Sequence, residues 1–271
     1  MMCYKILFCM SITDLIQLFG HVYTGILCIS NQRPSYWREK IIGGAANAAW
    51  CVMLSQTMVL ALNRWSVIVK HFHSRGKHKK YTFMFNTIAT YGYGASFMIV
   101  YLTPYCGLKF VSPGYYWEYS DDAWSLIVSE VEFYSTLIII LITLFAYVWI
   151  VLHIVNQKNK IIDIANAPAS KQEYKILFQG IFLFLFACFQ IIIWHCGDIL
   201  PSPLNGKYTN AGIHTGWVLF CGVTPILNLI MNKDLRTRVL HDLKLPQQAT
   251  HSDFFSTKVP YFSKTSGAYL R

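Results

Sequence analysis

Six long, predominantly apolar stretches run through this 271-residue chain, with short connections rich in lysine and arginine between them. They cover Ile6 to Ile29, Ile41 to Val69, Tyr81 to Tyr105, Trp124 to Val155, Tyr174 to Leu200 and Tyr208 to Met231, here named helices A to F. A hydrocarbon core about 30 Å thick takes roughly 20 apolar residues of helix to cross, and each stretch meets that length. The runs are continuous and do not alternate, so helices are expected in place of barrel strands; in lipid each span must satisfy its own backbone polar groups. Charged residues make up 13% of the chain, about half the share usual in a soluble domain. The expected fold is therefore an all-α integral membrane protein, a six-helix transmembrane bundle.

The cations say which way the bundle faces. The net charge of +10 would suit nucleic acid only if the basic residues shared one surface, and they are instead dispersed among apolar runs, so no nucleic-acid partner is expected. The B–C connection, the D–E connection with its Lys175 flank, and the segment after Met231 hold sixteen Lys and Arg, against five in the other three connections. Lysine and arginine stay on the cytoplasmic side of short loops, which puts those three regions inside. Glu39, Glu118, Asp121 and Asp122 fall outside. An even number of spans then leaves both termini in the cytoplasm. After helix F, Leu235, Val239, Leu240 and Leu243 recur at helical spacing among Lys233, Arg236, Arg238 and Lys244. That pattern predicts a short amphipathic helix near 233–245 on the inner leaflet, attracted to anionic lipid. Pro246 ends it. The domain expectation is a bundle over 1–245 and a flexible cytoplasmic tail over 246–271.

Other classes fit less well. The first residues resemble a signal peptide, but Asp14 interrupts the apolar stretch and no small-residue cleavage site follows. The eight cysteines show no CxxC or zinc-type spacing, so neither a metal ribbon nor a secreted disulfide scaffold is expected. A membrane enzyme would need matched histidine clusters. His71, His73 and His78 have none, and the spacing of His195, Cys196, Asp198 and His214 is loose for a metal site. No cofactor is expected. A transporter would want several intramembrane charges or a pair of broken helices.

Three polar features interrupt the apolar runs. Asp14 lies inside helix A, one helical turn from Ser11 and Leu18, as a polar hub that changes partners or holds a weak cation, or as a neutral carboxyl satisfied by local hydroxyls. Arg64 lies near the inner end of helix B. A guanidinium cannot be neutralised, so it either anchors the helix by reaching water or occupies a functional interior position. Lys70 and the basic loop already anchor that end, which favours the interior position. Pro225 removes a backbone donor inside helix F and bends it, with Thr224 and Asn228 beside the gap. A lone kink of this kind is by itself only packing.

Together and in this order, SITDLIQL in helix A, GGAANAAWCVMLSQTMVLALNRW across helix B and TPILNLIMNKDLR leaving helix F resemble G-protein-coupled receptors. More narrowly they resemble the nematode serpentine chemoreceptors of class T, over residues 1 to about 245. The resemblance implies that helices A to F correspond to the second to seventh helices of that family, the first being absent. It implies a small-molecule ligand, a heterotrimeric G protein on the cytoplasmic side, and the plasma membrane of sensory neurons. It also implies a signalling switch built on Asp14, Asn63, Arg64, Thr224, Pro225 and Asn228. Asn63 stands where the wider superfamily has an acidic residue, and Asn228 where it has a tyrosine, so the switch must use other partners. Glu173 is a candidate carboxylate at the depth of Arg64. The superfamily's outer disulfide has no counterpart at the start of helix B, which offers Glu39, and Cys28 with Cys106 is the candidate replacement.

In such a bundle the ligand sits between helices in the outer half, against aromatic walls with a few polar groups. The candidates are Asn47, Trp50 and Cys51 on helix B, Glu130 and Tyr134 on helix D, Trp194 and His195 on helix E, and His214 and Trp217 on helix F. Glu130 and Glu132 lie a turn or two inside helix D, within reach of outer water. A truncated, non-signalling receptor product is the alternative function, with a small membrane transporter behind it.

Overall fold

The computed structural model describes residues 2–30, 32, 34–69, 76–111, 116–156, 168–196, 207–231 and 236. Among them are six helices: α1 (Met2–Ser30), α2 (Tyr36–Ile68), α3 (Gly76–Tyr101), α4 (Ser125–Asn156), α5 (Pro168–Cys196) and α6 (Lys207–Met231). They are 25 to 33 residues long, or about 38 to 50 Å at the usual helical rise. Each is more than long enough for the hydrocarbon core. Four contain windows apolar enough to cross a membrane by length and composition: α1, α2, α4 and α5. The other two, α3 and α6, carry more Gly, Thr, Asn and His. They pack as members of the same bundle, α3 against α2 and α6 against α1 and α5.

The radial arrangement is that of a protein dissolved in lipid. A soluble domain puts its large apolar side chains inside and its charges outside; here large apolar side chains also cover the outside, and several polar ones lie inside. Phe85, Leu126, Ile138, Phe145, Phe178 and Leu219 point outward. Asp14, Gln17, Gln56, Arg64, Gln179 and Thr224 are buried. In hydrocarbon the outward apolar face costs nothing, whereas an outward polar group would find no partner. The chain is thus an all-α multi-pass membrane protein, as its apolar runs predict. Many interior hydroxyls are satisfied within their own helix, as when Thr57 donates to the Met53 carbonyl (3.0 Å) and Thr143 to that of Ile139 (2.6 Å).

The central helix is α2, which touches α1, α3, α4, α5 and the hairpin that follows α3. Its sequence GGAANAA explains the position, since small residues let neighbouring backbones approach. A Cβ on Gly43 would lie 2.6 Å from the Trp117 ring. On α3, a Cβ on Gly94 would overlap Val52 of α2 and press on the Ala48 carbonyl.

Between α3 and α4 the chain forms an antiparallel hairpin, β1 (Leu108–Val111) and β2 (Tyr116–Tyr119). It pairs Leu108 with Tyr119, Lys109 with Glu118, Phe110 with Trp117 and Val111 with Tyr116. Leu108, Phe110 and Trp117 are buried. On the opposite face Lys109 pairs with Asp121 (2.6 Å) and Glu118 (3.3 Å), and hydrogen bonds to those carboxylates hold its ammonium above the ordinary lysine range. The hairpin was not among the sequence expectations, which ran helix C to Tyr105. The helix stops at Tyr101, and Lys40 of α2 gathers the carbonyls beyond it. Lys40 is 3% exposed. Its Nζ donates to Cys106 O (2.5 Å), Tyr101 O (3.4 Å) and Thr103 O. Glu39, one residue earlier, accepts the Phe110 N–H at 3.0 Å. A cation at a helix C-terminus complements the helix dipole, so two adjacent charges of α2 pin both the end of α3 and the start of the hairpin.

The expected disulfide between Cys28 and Cys106 is absent: both are free thiols, as are Cys3, Cys9, Cys51, Cys188 and Cys221. The two side chains serve different surroundings. Cys28 lines a cleft with Thr24, Phe110, Trp117 and His214. Cys106 is buried facing Lys40 and Ser125, and burial raises its thiol above the ordinary range despite a hydrogen bond with Ser125. The chain divides into a compact unit, Met1–Met231, and a second, Asn232–Arg271. The expected amphipathic helix near 233–245, apart from Arg236, and the tail over 246–271 lie outside the described residues.

Candidate functional site

Under the hairpin, α2, α4, α5 and α6 line a small cavity of about 50 Å³. One wall is polar. Glu132 of α4 faces inward, and three donors converge on its Oε2: Asn47 Nδ2 of α2 at 2.7 Å, the Tyr101 hydroxyl of α3 at 2.8 Å, and the Tyr119 hydroxyl of β2. Asn47 also donates to Tyr101 (2.8 Å), and the two tyrosine hydroxyls lie 3.0 Å apart. The Cys51 thiol approaches the same carboxylate. Burial, and then the nearby Glu132, push the Tyr119 phenol far above the usual tyrosine range, so Tyr119 stays a donor. Four separate elements meet at this one carboxylate.

The other wall is aromatic. Trp50 of α2, Trp194 of α5 and Trp217 of α6 line it, with Phe133 of α4. Trp217 makes edge-to-face contacts with Trp50 (5.7 Å) and Trp194 (5.8 Å). Its indole Nε1 donates to Gln17 Oε1 of α1 at 2.7 Å, the partner a buried indole N–H needs. His214, one turn earlier, accepts the Trp117 backbone N–H at 3.1 Å and so holds the hairpin down on α6. A second cleft, lined by Tyr116, Trp117, Glu118, Tyr119, Trp194 and His214, adjoins the cavity and shares Tyr119 and Trp194 with it.

Four of the expected ligand-contact residues, Asn47, Trp50, Trp194 and Trp217, therefore line one cavity, with Cys51 beside it and His214 beneath the hairpin. Glu130 and Tyr134 do not. Both are exposed, Tyr134 by 59%, on the outer face of α4. They are four residues apart and share that face, while Glu132 between them points the opposite way. The side chain of His195 lies outside the described residues. Sequence reasoning passed over Tyr101, Tyr119, Gln17 and Gln190. Tyr101 lies in the last turn of predicted helix C, and Tyr119 in the C–D connection, where the hairpin was not expected.

Deeper in the bundle, α6 carries one continuous line of side chains. Phe220 stacks on Phe186 of α5 (5.1 Å) and meets Trp50 edge-on (5.7 Å). Below it Cys221 and Thr224 face Asp14 of α1. Asp14 is fully buried, and neither of its carboxylate oxygens has a hydrogen bond of normal geometry. Ser11, its expected neighbour, donates to the Leu7 carbonyl at 3.1 Å. Pro225 follows Thr224 inside the helix, and the Asn228 side chain lies outside the described residues. Arg64 is 2% exposed, so it does not reach out to water. It lies beside Tyr147 of α4, whose hydroxyl packs on Gly180 of α5. Ala61, Tyr147, Ile150, Leu177 and Phe184 form the apolar cluster around that end. Asn63 turns to a groove between α2, α3 and α4. Glu173 lies outside the residues whose side chains are described.

The bundle thus buries Asp14 and Arg64 and holds a small cavity around Glu132 beneath the hairpin. The family model for the serpentine type 7TM GPCR chemoreceptor Srt matches residues 1–252. The chain belongs to that family. The match takes in the whole helical unit, so the serpentine receptor's cavity, Asp14 and Arg64 all lie within the matched region. Comparison with curated proteins returns no match.

Proposed function

We propose that this receptor binds a small chemical cue in the cavity beneath the hairpin and relays the event to a heterotrimeric G protein at the Arg64 end, in the plasma membrane of sensory neurons. The observation that carries the proposal is the single face of α6 running from the cavity to Asp14. Trp217 lines the cavity and is bonded to Gln17 of α1. Phe220, one turn on, stacks on α5, and Thr224, another turn on, faces Asp14. A ligand that shifts Trp217 therefore acts on α1 and α5 through direct contacts. Pro225 lies next to the Asp14 contact, where the missing N–H makes α6 easy to bend. Interfaces of this kind switch between discrete arrangements and do not deform smoothly. The α5 side of the Arg64 cluster consists of Leu177, Gly180 and Phe184, so an outward swing of α5 would uncover the guanidinium for a partner.

The test uses cells expressing the full chain with a G-protein activation readout, basal and stimulated by a chemical panel. Arg64→Ala should abolish activation while surface expression persists. Trp217→Ala should remove the stimulated response and leave basal coupling measurable. Equal activation by Arg64→Ala and wild type at matched surface levels would overturn the proposed relay.

A further inference from the structure

We infer that the cavity recognises a small organic ammonium ion, held by the Glu132 carboxylate against the indole faces of Trp50, Trp194 and Trp217. The inference rests on the receptor reading of the same cavity and names the chemical class of the cue.

Charge comes first. Glu132 is the single charged side chain among the residues lining the cavity, and among the described residues no cation is ion-paired with it. Its neighbours are neutral donors. A carboxylate withdrawn from water is costly without an opposite charge, and hydrogen bonds from Asn47, Tyr101 and Tyr119 offset only part of that cost. Those three bonds end on Oε2. A carboxylate offers about four lone-pair sites over its two oxygens, so Oε1 keeps capacity for an N–H donor from the cavity. An anionic ligand would meet this carboxylate with no cation to balance it. A neutral ligand would leave the charge as it stands.

Shape and polarisability point the same way. Trp217 meets Trp50 and Trp194 edge-to-face, with interplanar angles of 69° and 84°. Their π-faces therefore look in different directions around one corner. Aromatic faces set at such angles are how proteins hold alkylammonium ions, since each ring quadrupole attracts the cation and the alkyl groups fill the apolar space. The Thr136 and Gln190 side chains complete the lining with groups that carry no charge. The adjoining cleft shares Tyr119 and Trp194 with the cavity, and its one carboxylate, Glu118, is already paired with Lys109, so Glu132 is the carboxylate left for a cation.

The test compares probes of one carbon skeleton and three charges: isoamylammonium, isoamyl alcohol and isovalerate, with tetramethylammonium added. The full chain in lipid nanodiscs is titrated with each, following its unfolding temperature and tryptophan fluorescence. Saturable binding is expected for the two ammonium ions and not for the alcohol or the carboxylate. Glu132→Gln, which keeps size and hydrogen bonding, should weaken ammonium binding by about tenfold or more. Trp194→Leu should weaken tetramethylammonium by roughly threefold to tenfold, and it carries the test if Glu132→Gln fails to fold. Tighter binding of the alcohol or the carboxylate, weakened by Trp194→Leu, would overturn the ammonium class and leave the cavity as the ligand site. Absence of binding by either ammonium ion also overturns the class. Ammonium binding that neither variant alters would remove the cavity itself, and with it the receptor reading of this site.

Discussion

Lys40→Met removes one ammonium group from the outer end of α2 and keeps most of the side chain's volume. In the folded receptor Nζ serves three carbonyls, that of Tyr101 at the end of α3 and those of Thr103 and Cys106 just beyond it. Hydrogen bonds from a charged donor contribute about 1.5–3 kcal/mol each. The Tyr101 contact, at 3.4 Å, is too long to count fully. Two good bonds at the low end of that range give a loss of about 3 kcal/mol, and methionine cannot replace them. At 2–4 °C per kcal/mol for a domain of this size, the unfolding temperature should fall by about 6–12 °C. The matched control is Lys109→Met on the outer face of the hairpin. Its ion pairs with Glu118 and Asp121 are exposed, and such pairs contribute little, so its unfolding temperature should move by less than about 2 °C. Thermal unfolding of the three proteins in the same nanodiscs decides. If Lys40→Met and Lys109→Met behave alike, the buried cation is not what closes α3 onto the hairpin.

Tyr147→Phe should leave the unfolding temperature unchanged or raise it, because the hydroxyl it removes is buried without a hydrogen-bond partner; a drop of several degrees would reveal a bond the structure does not contain. Asp14→Asn should raise thermal stability by removing a buried carboxylate that lacks well-formed hydrogen bonds, and should shift basal G-protein activation, read in the same cells as Arg64→Ala. Reducing agent should leave the unfolding temperature unaltered, and mass spectrometry after alkylation under denaturing, non-reducing conditions should find Cys28 and Cys106 both labelled. Trp217→Phe should cost about 1–2 kcal/mol in thermal unfolding by leaving Gln17 without its indole donor, whereas adding Gln17→Leu should restore part of that loss.

The helical bundle was legible because length and apolarity alone define a membrane span. Asp14 and Arg64 were legible for the converse reason, since each breaks an apolar run and each is buried. The facing of α4 was not. That helix is apolar almost all round, so no periodicity tells which side meets lipid, and Glu130 and Glu132 looked equivalent. Packing decides between them. Glu132 meets Asn47 and Tyr101, while Glu130 stays on the outer face. The hairpin was missed for a different reason. LKFV and YWEY are four residues each, and their alternation disappears in a search tuned to twenty-residue runs. Tyr119 could not be joined to Glu132 without it. The Cys28–Cys106 pairing was suggested as a replacement for the superfamily's disulfide because both cysteines fall at helix ends; both thiols are free, and the Cys106 segment is held instead by Lys40 of α2.

Everything proposed for the cavity and for Arg64 depends on the hairpin and the buried arginine end lying on opposite sides of one membrane. Epitope tags inserted at Gly76, beside the basic B–C connection, and at Gly114, in the hairpin loop, measure that directly in intact and permeabilised cells. The Gly114 tag should be stained on intact cells and the Gly76 tag only after permeabilisation. Staining of both on intact cells, or of neither, would contradict it.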